Sequence, residues 1–212
     1  MIELVIKSTF ETIIMCTSAM LIGFIFGIPL AVLLVITKSG GLKQHPLVNF
    51  ILSALVNALR SIPYIILMIL LLPLTRLLVG SSIGTMAALV PLSLAAILLI
   101  AREAQGAMHE VATGLVEAGK AMGAPNLMII RKVLLGEAWP AAMAGVTTVA
   151  INIIGYSAMA GAVGGGGLGD LAIRYGYQRY DIELLTIIII ILIIMVQAVQ
   201  MLGDYLVKYL KK

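Results

Sequence analysis

The chain holds one cysteine, one tryptophan and two histidines in 212 residues, and only 11% of it is charged. A lone cysteine, Cys16, excludes an internal disulfide framework. Its neighbour Met15 stands where a lipoprotein signal needs a small residue, so no lipidation is expected there. Lys7 is diluted by Glu3 and Glu11, which does not make the basic head of a cleavable signal peptide. His45 and His109 have no carboxylate cluster at ligand spacing, so no metal site is expected. Chemistry within a membrane needs ionisable groups at depth. The apolar spans offer Arg60 and the neutral Asn57, Asn152, Tyr156 and Ser157, and are expected to hold no Asp or Glu. That speaks against an intramembrane protease, a phosphotransferase, a redox enzyme or a proton-coupled carrier, and no catalytic residue is expected. The net charge of +4 is scattered along the borders of the runs, so nucleic acid is not an expected partner.

What the chain has is apolar length: 61% of its residues are hydrophobic. Crossing the hydrocarbon core takes about 20 apolar residues, and only helices or closed barrels satisfy the backbone there. The runs are continuous rather than alternating, which favours helices. The expectation is a single all-α membrane domain, 1–212, with five spans near 12–37, 47–75, 83–101, 140–161 and 184–207. A segment at 102–139 separates the third from the fourth. With the N-terminus outside and the C-terminus inside, nine basic residues fall on the cytoplasmic side: Lys38, Lys43, Arg102, Lys120, Arg131, Lys132, Lys208, Lys211 and Lys212. Four fall outside: Lys7, Arg76, Arg174 and Arg179. Positive charge favours the cytoplasm, so 102–139 is expected there.

Two glycine motifs imitate nucleotide sites. Gly114–Ala121 comes within one residue of a phosphate loop, but Ala121 has no hydroxyl for magnesium. Gly164–Gly169 formally holds GxGxxG, but follows an apolar span, not a buried strand. Its glycines are expected to allow tight packing at the outer end of span four. Pro29, Pro63 and Pro91 lie inside spans, where they are either hinges or ordinary kinks. Ala19, Gly23, Gly27 and Ala31 form a small-residue ridge, expected to pack helices within one subunit.

The segment 102–139 reads as helix, sharp turn, helix. Val111, Leu115, Ala118 and Met122 form one apolar stripe. Gly123 suits a helix end, Ala124-Pro125 disfavours continuation, and Asn126 is placed to cap a second short helix. The residues alone leave two readings open, a docking element or an amphipathic helix lying on lipid.

Glu117-Ala118-Gly119, three residues, Gly123, nine residues and Val133-Leu134-Leu135-Gly136 together resemble the EAA loop of bacterial ABC-importer permeases. Three positions depart from that pattern: Gly119 for Ala, Val133 for Ile and Gly136 for Pro. The stretches around Arg60, through the loop and after span four are similar to methionine-importer permeases. The resemblance implies a homodimeric permease in the bacterial inner membrane, with two cytoplasmic ATPase subunits and an extracytoplasmic binding lipoprotein. ATP and magnesium would sit on the ATPase, and no cofactor on this chain. It further implies a coupling helix carrying Glu117, Ala118, Gly119, Ala121, Met122, Gly123 and Ala124. Asn152, Tyr156, Ser157 and Met159 of span four are the expected lining of the pathway. Arg60 joins them: a charge at mid-span costs roughly 2.5–3.5 kcal/mol on insertion scales, so it is expected to face protein or water or to snorkel inward, its partner either a structural one such as a helix-end carbonyl or the carboxylate of a solute. A permease of the same build for another amino acid or small solute is the alternative.

Overall fold

The computed structural model describes residues 1–210; Lys211 and Lys212, counted above on the inner side, lie outside the described residues. Every regular element among the described residues is helical. The elements are α1 (Ile2–Thr37), α2 (Pro46–Ser61), α3 (Tyr64–Leu70), α4 (Leu72–Val79), α5 (Thr85–His109) and α6 (Thr113–Ala121). Then come α7 (Asn126–Met128), a π-helical stretch Ile129–Leu134 and α8 (Leu135–Ala162), followed by α9 (Gly167–Leu171), a π-helical turn Ala172–Tyr177 and α10 (Ile182–Leu210). Four helices are long and apolar enough to cross a membrane, and a fifth crossing arises if α2 and α3, bent by 107°, count as one broken span.

Burial sorts these helices into a centre and a periphery. Of the most apolar window of α5, 56% is buried; for α10 the figure is 11%. So α5 is the axis of the bundle, and α10 presents its isoleucines outward. The small-residue ridge of α1 meets α5: Ala19 and Ala31 are fully buried. A Cβ added at Gly23 would lie 2.6 Å from the Ala96 Cβ, and one at Gly27 2.9 Å from the Ile97 carbonyl oxygen. The backbones touch because nothing stands between them, as small-residue ridges allow. The ridge therefore packs within the subunit, as expected.

At 1.5 Å per residue α1 is about 54 Å long, well beyond the ~30 Å hydrocarbon core. It therefore starts at Ile2, ten residues before the span drawn from sequence, and its first turns hold Lys7 and Glu11. Pro29 and Pro91 sit inside unbroken helices. Each is held by the α1–α5 contact, where Ile28 and Leu92 pack in the same core. Pro63 behaves differently. Ile62 before it adopts an extended conformation, as a residue preceding proline prefers. In α2 only Val56 is buried, whereas Tyr64 and Met68 after the proline pack in the core, so the chain turns inward at Pro63. The span drawn at 47–75 is thus three short helices.

The interval 102–139 also changes shape. Arg102 and Glu103 look like a membrane exit, yet α5 continues to His109, because Ala104, Ala107 and Met108 pack on Leu134, Ala138 and Ala142. On the far side a helix of 37 residues, Asn126–Ala162, runs without interruption into span four. Asn126 is its first residue rather than its cap; Pro125 precedes it, and no side chain caps the end. Gly136 lies within this continuous helix, so no turn stands there for a proline to fix. Asp204 falls inside the limits drawn for the fifth span, close to its end. It is exposed and accepts a hydrogen bond from Gln200 Nε2 at 2.8 Å.

Candidate coupling and translocation site

Between α5 and α7 the chain makes α6 and a tight return. α6 ends at Ala121, and Gly123 takes φ +75°. Its N–H donates to the Lys120 carbonyl and that of Ala124 to the Gly119 carbonyl, each at 3.0 Å. This is the glycine-terminated helix end that spares a Cβ in the left-handed region. Gly119 is buried where α6 crosses Ile129, and an added Cβ would meet Ile129 Cγ1 at 3.4 Å, ordinary contact. Val111 and Val116 rest on the core below. The other face is bare. Glu117, Ala118 and Ala121 are exposed and Ala124 half-buried. Met122 is 81% exposed and Leu127 75%, with Leu115 and Met128 exposed beside them. Of the expected stripe, Val111 turns partly inward while Leu115, Ala118 and Met122 face out. The phosphate-loop imitation Gly114–Ala121 is this same surface helix.

The long helix ending at Ala162 carries the other candidate surface. Ala141, Ala144, Thr148, Asn152, Gly155 and Met159 are all exposed and recur at helical spacing. Asn152 and Met159 therefore share one open face. Ser157 points the other way: it is 2% exposed, and its hydroxyl donates to the Ile154 carbonyl at 2.7 Å. Tyr156 lies at the edge of the open face and stacks on Tyr64, rings parallel and centroids 4.5 Å apart. Thr148 and Gly155 escaped the sequence reading, though their spacing from Asn152 was available. Tyr64 escaped it too, since its place depends on the break at Pro63.

Arg60 closes the last turn of α2 and is exposed. With Leu59, Ile62, Tyr64, Leu98 and Tyr156 it lines a cavity of about 30 Å³. Among the described residues Arg60 makes no ion pair and no side-chain hydrogen bond, and the buried Tyr64 hydroxyl also lacks a partner. Leu98 and Leu99 on the cavity wall lie at the middle of α5, which runs from 85 to 109.

The glycine-rich turn after α8 is a packing device. Gly164, Gly166 and Gly167 take positive φ, and α9 folds back so closely that a Cβ on Gly161 would collide with the Asp170 amide nitrogen. The Gly167 N–H donates to Glu11 Oε2 and the Leu168 N–H to Thr12 Oγ1, both at 2.9 Å. Asp170 pairs with Arg174 one turn on. No group of three or more His, Cys, Asp or Glu among the described residues is placed to hold a metal ion.

Comparison with known proteins agrees with this architecture. A permease of Vibrio cholerae named as a probable D-methionine transport system permease protein is 49% identical over 97% of this chain and 92% of its own length. The D-methionine transport system permease protein of Escherichia coli is 44% identical over 76% of this chain and 74% of its own. The methionine import system permease protein of Bacillus subtilis is 42% identical over 85% of this chain and 81% of its own. A solved chain of the MetNI methionine ABC transporter, in an inward-facing conformation, superposes with a TM-score of 0.98 at 42% identity, covering 100% of this chain and 98% of that one. An amino acid ABC transporter crystallised with histidines shares the fold, with a TM-score of 0.80 at 20% identity. Residues 23–212 match the family model for the inner membrane component of binding-protein-dependent transport systems. The chain is a member of that family, a membrane permease component.

Proposed function

We propose that this chain is the permease subunit of an ATP-driven importer for methionine, in the L and D forms. It works as a homodimer with two cytoplasmic ATPase subunits and an extracytoplasmic binding protein. One observation carries the reading: α6, the turn after it and α7 hold Leu115, Met122, Leu127 and Met128 bare at one end of the bundle. A patch of large apolar side chains on a water-facing element marks a partner surface. It flanks Glu117, Ala118 and Gly123, the exposed residues that match the EAA pattern. The substrate follows from the relatives, whose names specify methionine.

In this reading α6 is the coupling helix, with Glu117, Ala118, Ala121, Met122, Gly123 and Ala124 at the contact and Gly119 seating the helix on Ile129 from beneath. ATP binding closes the ATPase subunits, which carry ATP and magnesium themselves. α6 moves with them, and the two permease subunits rotate between inward- and outward-facing states. Rigid-body rotation about an interface is a common way to link a local event to a distant gate. The open face of α8, with Asn152 and Met159, lines the pathway, and Tyr156 and Arg60 border it. Ser157, held in the core, supports that helix from behind. The N-terminus lies outside and the C-terminus inside.

The test is uptake of labelled L- and D-methionine by proteoliposomes holding the permease, its ATPase and its binding protein. Gly123→Val forces a β-branched residue into φ +75°, a strain of about 1–3 kcal/mol that the turn relieves by changing shape. Uptake is expected to fall at least about tenfold while ATP hydrolysis persists, since 1.4 kcal/mol already corresponds to that factor. Gly123→Asn, which tolerates the left-handed region, keeps most of it. Full transport by Gly123→Val would remove α6 from the coupling path; no methionine uptake by the unaltered complex would remove the substrate.

A further inference from the structure

Arg60 lies level with the middle of the bundle, where a charge is costly and needs a counter-ion or water. This chain offers it none. Its ten carboxylates are Glu3, Glu11, Glu103, Glu110, Glu117, Glu137, Asp170, Asp181, Glu183 and Asp204. Nine lie toward the ends of the long helices or in the segments between them; Glu103 comes nearest, one turn beyond Leu99 of the cavity wall, and makes no ion pair with Arg60 among the described residues. A second copy of the chain brings the same ten at the same levels, so a homodimer cannot neutralise Arg60 either. The two residues outside the described range are lysines.

What surrounds Arg60 is shaped for a small group. The cavity of about 30 Å³ has room for a water or a small polar group, since a water needs roughly 10–15 Å³ on the same measure. Tyr64 lines it with its buried hydroxyl unpartnered, and an unmade hydrogen bond at a buried hydroxyl calls for a ligand or a water. Tyr156 connects the cavity to the open face of α8, one turn from Asn152 and nearly one turn from Met159. A planar guanidinium is the side chain best matched to a carboxylate.

We propose that Arg60, at the break between α2 and α3 beside Tyr64 and Tyr156, is the transit site for the α-carboxylate of the transported amino acid. The solute brings the negative partner that Arg60 lacks among the described residues, and leaves with it. The inference rests on the import reading above and adds the point on this chain at which the solute is held. A guanidinium bond to a carboxylate lost at the narrow point is expected to cost about ten- to a hundredfold.

The experiment measures methionine delivered per ATP hydrolysed by the full complex in proteoliposomes, for the unaltered chain, Arg60→Gln, Arg60→Lys and Tyr64→Phe. In Arg60→Gln the loaded binding protein still stimulates ATP hydrolysis, but methionine per ATP drops at least about tenfold. Arg60→Lys, which keeps the charge, retains an intermediate ratio, and Tyr64→Phe lowers it less than Arg60→Gln. An unchanged ratio in Arg60→Gln overturns the proposal and leaves Arg60 a hydrated cation. Should Arg60→Gln not assemble, solid-state NMR of the unaltered complex decides. A contact between carboxyl-labelled methionine and an arginine guanidinium, absent in Arg60→Lys, supports the site; its absence in a transporting complex overturns it. A complex that moves no methionine at all fails the import reading instead.

Discussion

At the scale of single residues, two side chains at the start of α1 fasten the far end of α8. Thr12 is 1% exposed, and its hydroxyl donates to the Ser8 carbonyl while accepting the Leu168 N–H. The amide is buried with it, so the turn after Gly164–Gly167 depends on this acceptor. Replacing Thr12 by Val keeps the shape and removes the oxygen. A buried N–H left without a partner costs about 1–3 kcal/mol. The expected outcome for Thr12→Val is a lower Tm of the detergent-solubilised protein. Thr17→Val should change it little, since the exposed Thr17 hydroxyl only donates to carbonyls of its own helix. Equal Tm for Thr12→Val and the unaltered protein would mean that Glu11, which accepts the Gly167 N–H, holds the turn alone.

At the scale of elements, α6 is short, exposed and held from beneath by Val116 and Gly119. Its position is therefore set by the core, while its outer face is free to bind. Burying Met122 against a partner is worth about 1.5–3 kcal/mol. Met122→Asp is expected to weaken co-purification of the ATPase at least about tenfold. Tyr180→Asp, equally exposed in the segment before α10, leaves it intact. Much of this element was legible: Gly123 and Ala124-Pro125 announce the turn through backbone preference alone. The same local reasoning failed at its edges. It ended α5 at the first charges, although the helix continues for as long as Ala104 and Met108 have Leu134 and Ala138 to pack on. Pro29, Pro63 and Pro91 look alike in sequence, but only at Pro63 does a peripheral helix, α2, give way to a buried one, α3. Among the candidate pathway residues, Asn152 and Met159 share a face by spacing that sequence displays. That Ser157 faces inward, and that Tyr64 meets Tyr156, depends on tertiary contacts that no local pattern encodes.

At the scale of the whole molecule, the surface divides into two chemistries. α10 shows Ile187, Ile189, Ile190, Ile193 and Ile194, a surface suited to lipid tails. α8 shows Ala144, Thr148, Asn152, Gly155 and Met159. An exposed Asn amide is poorly placed against hydrocarbon, while small residues permit another helix to come close. The second face is therefore the one expected to meet a second copy or the pathway between copies. The contrast yields a test that needs no substrate. Gly155→Cys is expected to form a cross-link between subunits under mild oxidation, giving a dimer band on a non-reducing gel. Ile190→Cys is expected to give no cross-linked band on the same gel and to react with a lipid-soluble maleimide. Cys16 is buried, so the native thiol contributes little background to either measurement. A dimer band from Ile190→Cys with none from Gly155→Cys would reverse the two faces. It would put α10 at the subunit contact and move the pathway away from Asn152 and Met159.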